Sequence, residues 1–492
     1  MRTPKGVLFY SSVPCSTGAP HSATLSVHSV TLFTMPTPAH AQALLVVLMV
    51  TLLTGCATSS LFNPYPQQAA HWKNDLGGEQ PERALRHLDR RTRGADKLLY
   101  LQERARAAQI AGDTDRSQAD FAEVIALYNA QDEQALVRAS SAGAGIGALM
   151  VNDNALPYRG QDYERIMAHG MQAMNYWQQG DLEAAAVEFR RVTLEQQVAE
   201  ERRAREIGRA LEGSEPVAPA SDFERELAGL NSAAADVRSS IQNAYLYYLA
   251  GVFREGVGDY NNALVDYKKA WEVNPDLSLL PADIARVEAR SDRRYATDQG
   301  LVVIAYEQGF IPPREEISLP IPTIHGYFAV AFPTYSPRQA TPTGLRVTAT
   351  GEDGAPVETR TEVATALSGM AARALRENVP AMLARQTLRA TAKYEAQKRA
   401  NDDLGLFGAF ATQVYNLVSE TADLRSWLTL PAYAQLARLE LPPGEHALTL
   451  WGTGASATVE IPVTRGGITL VRVIDTGQRL HITVMPALEE RP

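Results

Sequence analysis

The strongest constraint on this chain is a pattern that returns at fixed offsets. Residues 247–275, YYLAGVFREGVGDYNNALVDYKKAWEVNP, place Tyr247, Ala250 and Gly251 ahead of a Gly258-Asp259-Tyr260 turn. Behind the turn come Ala263, Tyr267 and Ala270, and Pro275 closes the unit. Residues 171–192 repeat the scheme with Ala173, Tyr176, Gly180-Asp181-Leu182, Ala185 and Phe189, and a weaker unit has Leu101, Ala105, Gly112-Asp113 and Phe121. Gly112 and Gly180 are 68 residues apart, two periods of 34. Gly180 and Gly258 are 78 apart, and the ten extra residues fit the Gly/Pro/Ser-rich stretch 213–221, which reads as a loop. A fixed period of this length signals stacked helical hairpins. Small residues let two antiparallel helices approach, and large aromatics fill the gap to the next hairpin.

The 247–275 unit resembles the tetratricopeptide (TPR) repeat, with Arg254 standing where an aromatic or aliphatic residue is usual. The resemblance implies a concave groove that binds a partner protein, with Tyr176 and Arg254 as candidate groove residues. Between the first two units, residues 140–166 carry Asn152-Asp153-Asn154 and Pro157-Tyr158-Arg159. This polar, turn-forming cluster is read first as structural, with Asp162 suited to cap the following helix, and second as a partner contact, with Asn152, Asp153, Tyr158 and Arg159 as the binding candidates. Gly143, Gly145 and Gly147 imitate a phosphate loop, but no strand precedes them and no Lys-Ser/Thr follows.

The first residues read as an address. Ala43–Leu53, ALLVVLMVTLL, is eleven residues without charge, the length of a signal-peptide core and too short to span a bilayer. It runs into Leu53-Thr54-Gly55-Cys56, which resembles the bacterial lipobox. The resemblance implies cleavage before Cys56, whose thiol and new amine are acylated, palmitate being one such chain. Residues 1–55 are therefore expected to be a signal peptide, with Met35 as a start of more usual length, and 56–75 a lipidated tether. Acyl chains anchor stably when two or more are present. Ala57, in place of the Asp that retains lipoproteins at the inner membrane, favours the periplasmic face of the outer membrane.

Composition narrows the rest. At 492 residues, 45% of them hydrophobic and 21% charged, the chain has material for two or three domains. The net charge is −9; without Arg2 and Lys5 the mature 437 residues carry 45 basic and 56 acidic side chains, or −11. With no long basic run, nucleic acid is not an expected partner. Cys15 and Cys56 are too few for a disulfide framework or a cysteine-based zinc site.

The TPR-like helical domain is expected over 76–297 and a β-rich domain over 298–492, where the period changes to two. Strands are expected at 301–306, 327–332, 345–350, 437–441, 447–451, 457–461, 468–473 and 480–484, with prolines 312, 313, 320 and 322 as turns or edges. Regular short strands argue an antiparallel β-sandwich-like domain, interrupted by a helical hairpin at about 364–418. Within that insertion, LGLFGAFATQVYNLV (404–418) is uncharged and reads as a buried helix, or as one that meets lipid or a partner. The fold class expected is thus α + β, multidomain.

Catalytic chemistry is not expected. Of the mature histidines, 71, 87, 169, 325, 446 and 481, no two have the i, i+4 spacing of a zinc helix, and Gly-x-Ser-x-Gly is absent. No catalytic residue, metal or small-molecule cofactor is assigned. Together the lipobox, NDNALPYRG (152–160), GDLEAAAVEFRR (180–191), LVVIAYEQGFIPPREEISLPIP (301–322) and DLRSWLTLP (423–431) resemble an uncharacterised family of Gram-negative TPR-like lipoproteins with a C-terminal β-rich domain. The resemblance implies a lipid-anchored scaffold of the cell envelope that binds an envelope-assembly or peptidoglycan-synthesis protein. The alternative is a ligand-binding or enzymatic β-domain carried on a helical support.

Overall fold

The computed structural model describes residues 63–489, apart from 79, 141–153, 155, 214–224, 226, 236, 292–296, 324–325, 337–339, 351–354 and 420. The leader and Leu53–Cys56 lie outside the described residues, as do Asn152 and Asp153. Ala57–Pro492 form one compact unit of α and β structure.

The chain enters this unit as helix α1 (Tyr65–Gly77), followed by α2 (Glu82–Asp89). Tyr65 and Trp72 of α1 are buried against Tyr100, with ring centroids about 6 Å apart, so half of the expected tether is core. Next come α3 (Lys97–Ala111), α4 (Thr114–Ser140), α5 (Asp162–Gln178), α6 (Leu182–Gly213), α7 (Ala228–Ala235), α8 (Ala244–Gly256), α9 (Tyr260–Val273) and α10 (Leu280–Ser291). Helices α3 and α4, α5 and α6, and α8 and α9 pack as hairpins.

The three hairpins turn by the same device. Gly112, Gly180 and Gly258 have φ of +79°, +78° and +83°, a left-handed conformation that costs glycine nothing and ends a helix. The aspartate that follows each caps the next helix. Asp113 accepts from the Arg116 N–H at 3.2 Å, Asp181 from Ala184 at 3.0 Å and Asp259 from Asn262 at 3.4 Å. Nine residues beyond each glycine stands a fully buried ring: Phe121, Phe189 and Tyr267. Gly251 lies so close to Tyr267 that a Cβ there would meet the ring at 2.8 Å, which is why α8 carries no side chain at that point. Tyr247, Ala263, Ala270 and Ala185 are buried, Tyr260 is half-buried and Pro275 is exposed.

Eleven strands are assigned among the described residues: β1 (Gly300–Gln308), β2 (Glu315–Thr323), β3 (Gly326–Thr334), β4 (Arg346–Thr350), β5 (Pro356–Arg360), β6 (Glu362–Ala366), β7 (Tyr433–Leu441), β8 (Gly444–Trp451), β9 (Ser456–Val463), β10 (Ile468–Asp475) and β11 (Leu480–Val484). The first sheet runs β11-β10-β1-β7-β6, the second β5-β4-β8-β9, and β2 and β3 pair as a hairpin. All eight expected strands are present. Three others were not expected: β2, whose prolines read as punctuation, β5, and β6, which lies where the helical insertion was to begin.

Strand β1 is buried along its whole length and is the middle strand of the five-stranded sheet. Leu301, Val303 and Ala305 join the core made by the helices, whereas Val302, Ile304 and Tyr306 join a second core with β4, β8 and β9. Period-two alternation therefore serves two cores at once. The layers are helices, five-stranded sheet and four-stranded sheet. The expected boundary at 297/298 marks a change of secondary structure and not a gap between separate cores. The sheet is also not purely antiparallel, because β1 pairs with β10 in parallel from Leu301↔Ile468 to Gln308↔Asp475. The long chain between them provides the crossover that a parallel pair needs.

The expected helical hairpin is one helical run, α11 (Leu367–Ser419), with Pro380 inside it. It starts after 364 because 362–366 pair with β7. A straight helix of 53 residues is about 80 Å long. The 13 residues that return the chain from Ser419 to β7 reach at most ~45 Å. The run therefore bends back along its length, and Pro380, lacking an N–H, interrupts its ladder.

Candidate functional site

The inner helices α3, α5 and α8 are buried around nearly their whole circumference, and their polar side chains meet the β half in one seam. The seam begins with residues 421–432, the segment between α11 and β7 that contains DLRSWLTLP. An irregular segment buried this deeply must find partners for its backbone. Two carboxylates supply them. Glu164 of α5 accepts the Trp427 N–H at 2.9 Å; Glu103 of α3 accepts the Leu428 and Thr429 N–H groups at 2.8 and 3.2 Å. Tyr158 Oη donates to Glu164 at 2.7 Å and Tyr65 Oη to Glu103 at 2.6 Å. Burial pushes both carboxyls above their ordinary range, and these donors pull them back in part.

Arg425 ties the segment to the stretch before α5. Its guanidinium reaches Asp96 at 2.5 Å, Asp423 at 2.8 Å and the Leu156 carbonyl at 2.9 Å, 5.6 Å from the Tyr158 ring centre. Burial disfavours a charged Asp423, but Arg425 outweighs it and holds the carboxyl below its usual value. Asn154 donates to Thr421 Oγ1 at 3.2 Å and to the Ala422 carbonyl at 3.1 Å. Leu156 and Tyr158 of NDNALPYRG thus meet Arg425 of DLRSWLTLP, more than 260 residues away in sequence.

Deeper in the seam, Glu307 of β1 sits between two buried arginines. Arg106 Nη2 of α3 is 2.6 Å from Glu307 Oε2, and Arg472 of β10 donates at 2.8 and 3.1 Å. Tyr245 Oη of α8 adds a bond at 3.2 Å. Burial alone raises the Glu307 pKa, yet Arg106 and then Arg472 outweigh it and hold it at about 2. Burial pushes Arg106 down to about 10 even with Glu307 beside it, so it stays cationic at neutral pH. Gln109 Oε1 accepts from both arginines at 3.1 and 3.0 Å, while its amide donates to Asn175 at 2.7 Å.

Among the described residues the acids of this seam meet bases, hydroxyls or backbone N–H groups. No group of three or more His, Cys, Asp or Glu able to hold a metal occurs among the described residues, and no described helix is long and apolar enough to cross a membrane. What the arrangement does chemically is join the helical and β halves through paired charges.

The expected binding residues scatter. Tyr158 is 4% exposed and its hydroxyl is committed to Glu164, so it is core and not a contact surface. Arg254 pairs with Asp266 of α9, which explains a cation at an otherwise apolar position. Tyr176 is half-buried and packs on the main core. Arg159 is exposed. Asp162 is not the cap of α5: that position is Gln161, whose N–H is met by Glu164 at 3.3 Å, and Asp162 pairs with Arg202. Glu103, Arg106, Glu164, Glu307 and Arg472 were not singled out from the sequence. Their signal was a charge set among apolar neighbours, as in LLYLQERARAAQI. Comparison with family models, with curated proteins and with solved structures returned no match.

Proposed function

We propose that this chain is a lipoprotein held by Cys56 at the periplasmic face of the outer membrane, acting as a scaffold for another envelope protein. In this reading the helical half is a TPR-like array and the two facing sheets a β-sandwich-like domain. The three glycine–aspartate turns with buried rings nine residues on support the first. The shared inner core of the two sheets supports the second. The family of Gram-negative repeat lipoproteins is the one the sequence strings resemble, and the partner class, envelope-assembly or peptidoglycan-synthesis machinery, comes by analogy with such proteins.

The observation that carries the scaffold reading is the seam. A repeat array that binds a peptide in its inner face must leave that face open. Here the face is filled by residues 421–432 and by β1 and β10, and its charges are spent internally. The partner therefore docks outside, and α11 offers apolar side chains there: Leu388 is 55% and Tyr394 37% exposed, on the side away from the buried Arg389.

Two experiments test the reading. Metabolic labelling with a palmitate analogue should mark the wild type and not Cys56→Ser; label on both, or on neither, removes the anchor. A photo-crosslinking residue at Leu388 should capture an envelope protein in intact cells, and one at Tyr176 should not. Capture from Tyr176 alone would return binding to the repeats, and capture from neither position would sink the scaffold.

A further inference from the structure

Helix α2 buries Ala84, Leu85 and Leu88 and turns a basic stripe to solvent. Arg83, Arg86, His87 and Arg90 recur at i, i+3, i+4 and i+7, which places them on one face, and Arg93 extends it past the helix. Arg83, Arg86, Arg90 and Arg93 are all exposed. The acids nearby are mostly committed elsewhere. Asp89 pairs with Arg104 and Arg116, Asp96 is buried with Arg425, and Asp75 stands 3.7 Å from His87; Glu82 is on the flank. The stripe is cationic on a chain whose net charge is −9.

Its position in the fold gives it a partner. α2 packs against α1, and Arg91 donates to Gln68, whose amide donates to the Asn63 carbonyl at 2.6 Å. The C-terminal end of the stripe therefore lies beside the point where the chain enters the compact unit. Asn63 is seven positions on from Cys56, at most ~25 Å of chain. We propose that the arginines of α2 and its following turn, Arg83, Arg86, Arg90 and Arg93, dock on anionic phospholipid headgroups of the membrane that carries the anchor. The inference rests on the Cys56 reading for its membrane. The stripe adds an electrostatic second attachment and fixes which face of the protein lies on the bilayer, since acyl chains on one residue at the end of a tether leave orientation free.

The test uses residues 57–492, the compact unit with its own core, so acylation plays no part in it. Flotation with vesicles of phosphatidylcholine containing about one-third phosphatidylglycerol should capture this unit at low salt, and pure phosphatidylcholine should not. Replacing the four arginines by glutamine should lower partitioning by roughly several hundredfold, at roughly fivefold for each charge lost near the surface. Lysine at the same positions should restore it, and high salt should abolish it. Equal capture of wild type and the glutamine variant, or failure of the wild type on anionic vesicles, overturns the proposal. So does capture of an acidic protein from α2 in cells without vesicle binding. The palmitate label on Cys56 reads the anchor separately: label without vesicle binding sinks the stripe alone, and vesicle binding without label sinks the anchor alone.

Discussion

Replacing Glu307 by glutamine removes a carboxylate that Arg106 and Arg472 share, leaving two guanidinium groups facing each other with side chains 0% and 3% exposed. The loss can be sized in two ways. Burial raises the Glu307 pKa, but the arginines hold it at about 2 against an ordinary 4.5, a difference worth about 3 kcal/mol in favour of the folded, charged form. Removing one partner of a buried ion pair costs about 3–5 kcal/mol. The two agree on about 3 kcal/mol at neutral pH. The sign of the pH dependence follows from the depressed value. The contribution is fully present above about 4.5 and is lost as the pH falls through the folded value near 2. Urea unfolding followed by far-ultraviolet circular dichroism should therefore show a large gap between wild type and Glu307→Gln near neutrality, shrinking to less than half near pH 3. A gap below about 1 kcal/mol at neutral pH, or one equal at both pH values, would falsify the view that Glu307 joins the halves through charge.

Three further outcomes follow from the same structure. Gly251→Ala should destabilise by about 1–3 kcal/mol, because the new methyl meets the Tyr267 ring at 2.8 Å; Tyr267→Leu in the same chain should recover part of this, and an unchanged melting temperature for the single variant refutes the close approach. Burial raises the Asp266 carboxyl to about 6 although Arg254 opposes it, so this group stabilises below its ordinary 3.8 and that stability is lost as the pH rises through about 6. The amount is about 3 kcal/mol, and Asp266→Asn should flatten the stability profile between about pH 4 and 6, whereas Glu307→Gln leaves the slope above about pH 5 unchanged. Gly112→Ala should cost about 1–2 kcal/mol from its φ of +79° alone, since a Cβ there meets nothing within 4 Å; a similar loss at Gly94, also at positive φ but outside the repeats, would show the effect to be conformational and not specific to the hairpin turn.

Much of the local structure was legible in the residues. Gly180 and Gly258 ended helices because only glycine rests easily at φ near +80°, and Asp181 and Asp259 began the next ones. Strand β10 showed itself by a run of apolar and β-branched residues. β2 did not, because Pro320 and Pro322 read as breaks, whereas a proline is tolerated on a two-stranded hairpin where its missing N–H points outward. Tyr158 shows the limit for sites: a Pro-Tyr-Arg turn can be read as structural or as a contact loop, and only Glu164 beneath it decides for the first.

What the sequence determined by itself is whatever depends on a few neighbouring residues: helix against strand, the hairpin turns, and the faces that must be apolar. The tertiary structure alone decided which buried charge meets which. Glu307 and Arg472 are 165 residues apart, and Glu164 and Trp427 are 263 apart. Local preference acts over a turn of helix or a pair of strands. A carboxylate left alone in the core is costly wherever it lies, but the cost does not say which distant arginine or N–H will relieve it. That choice is made only when the layers close, and here closing them filled the inner face of the helical hairpins with the protein's own chain.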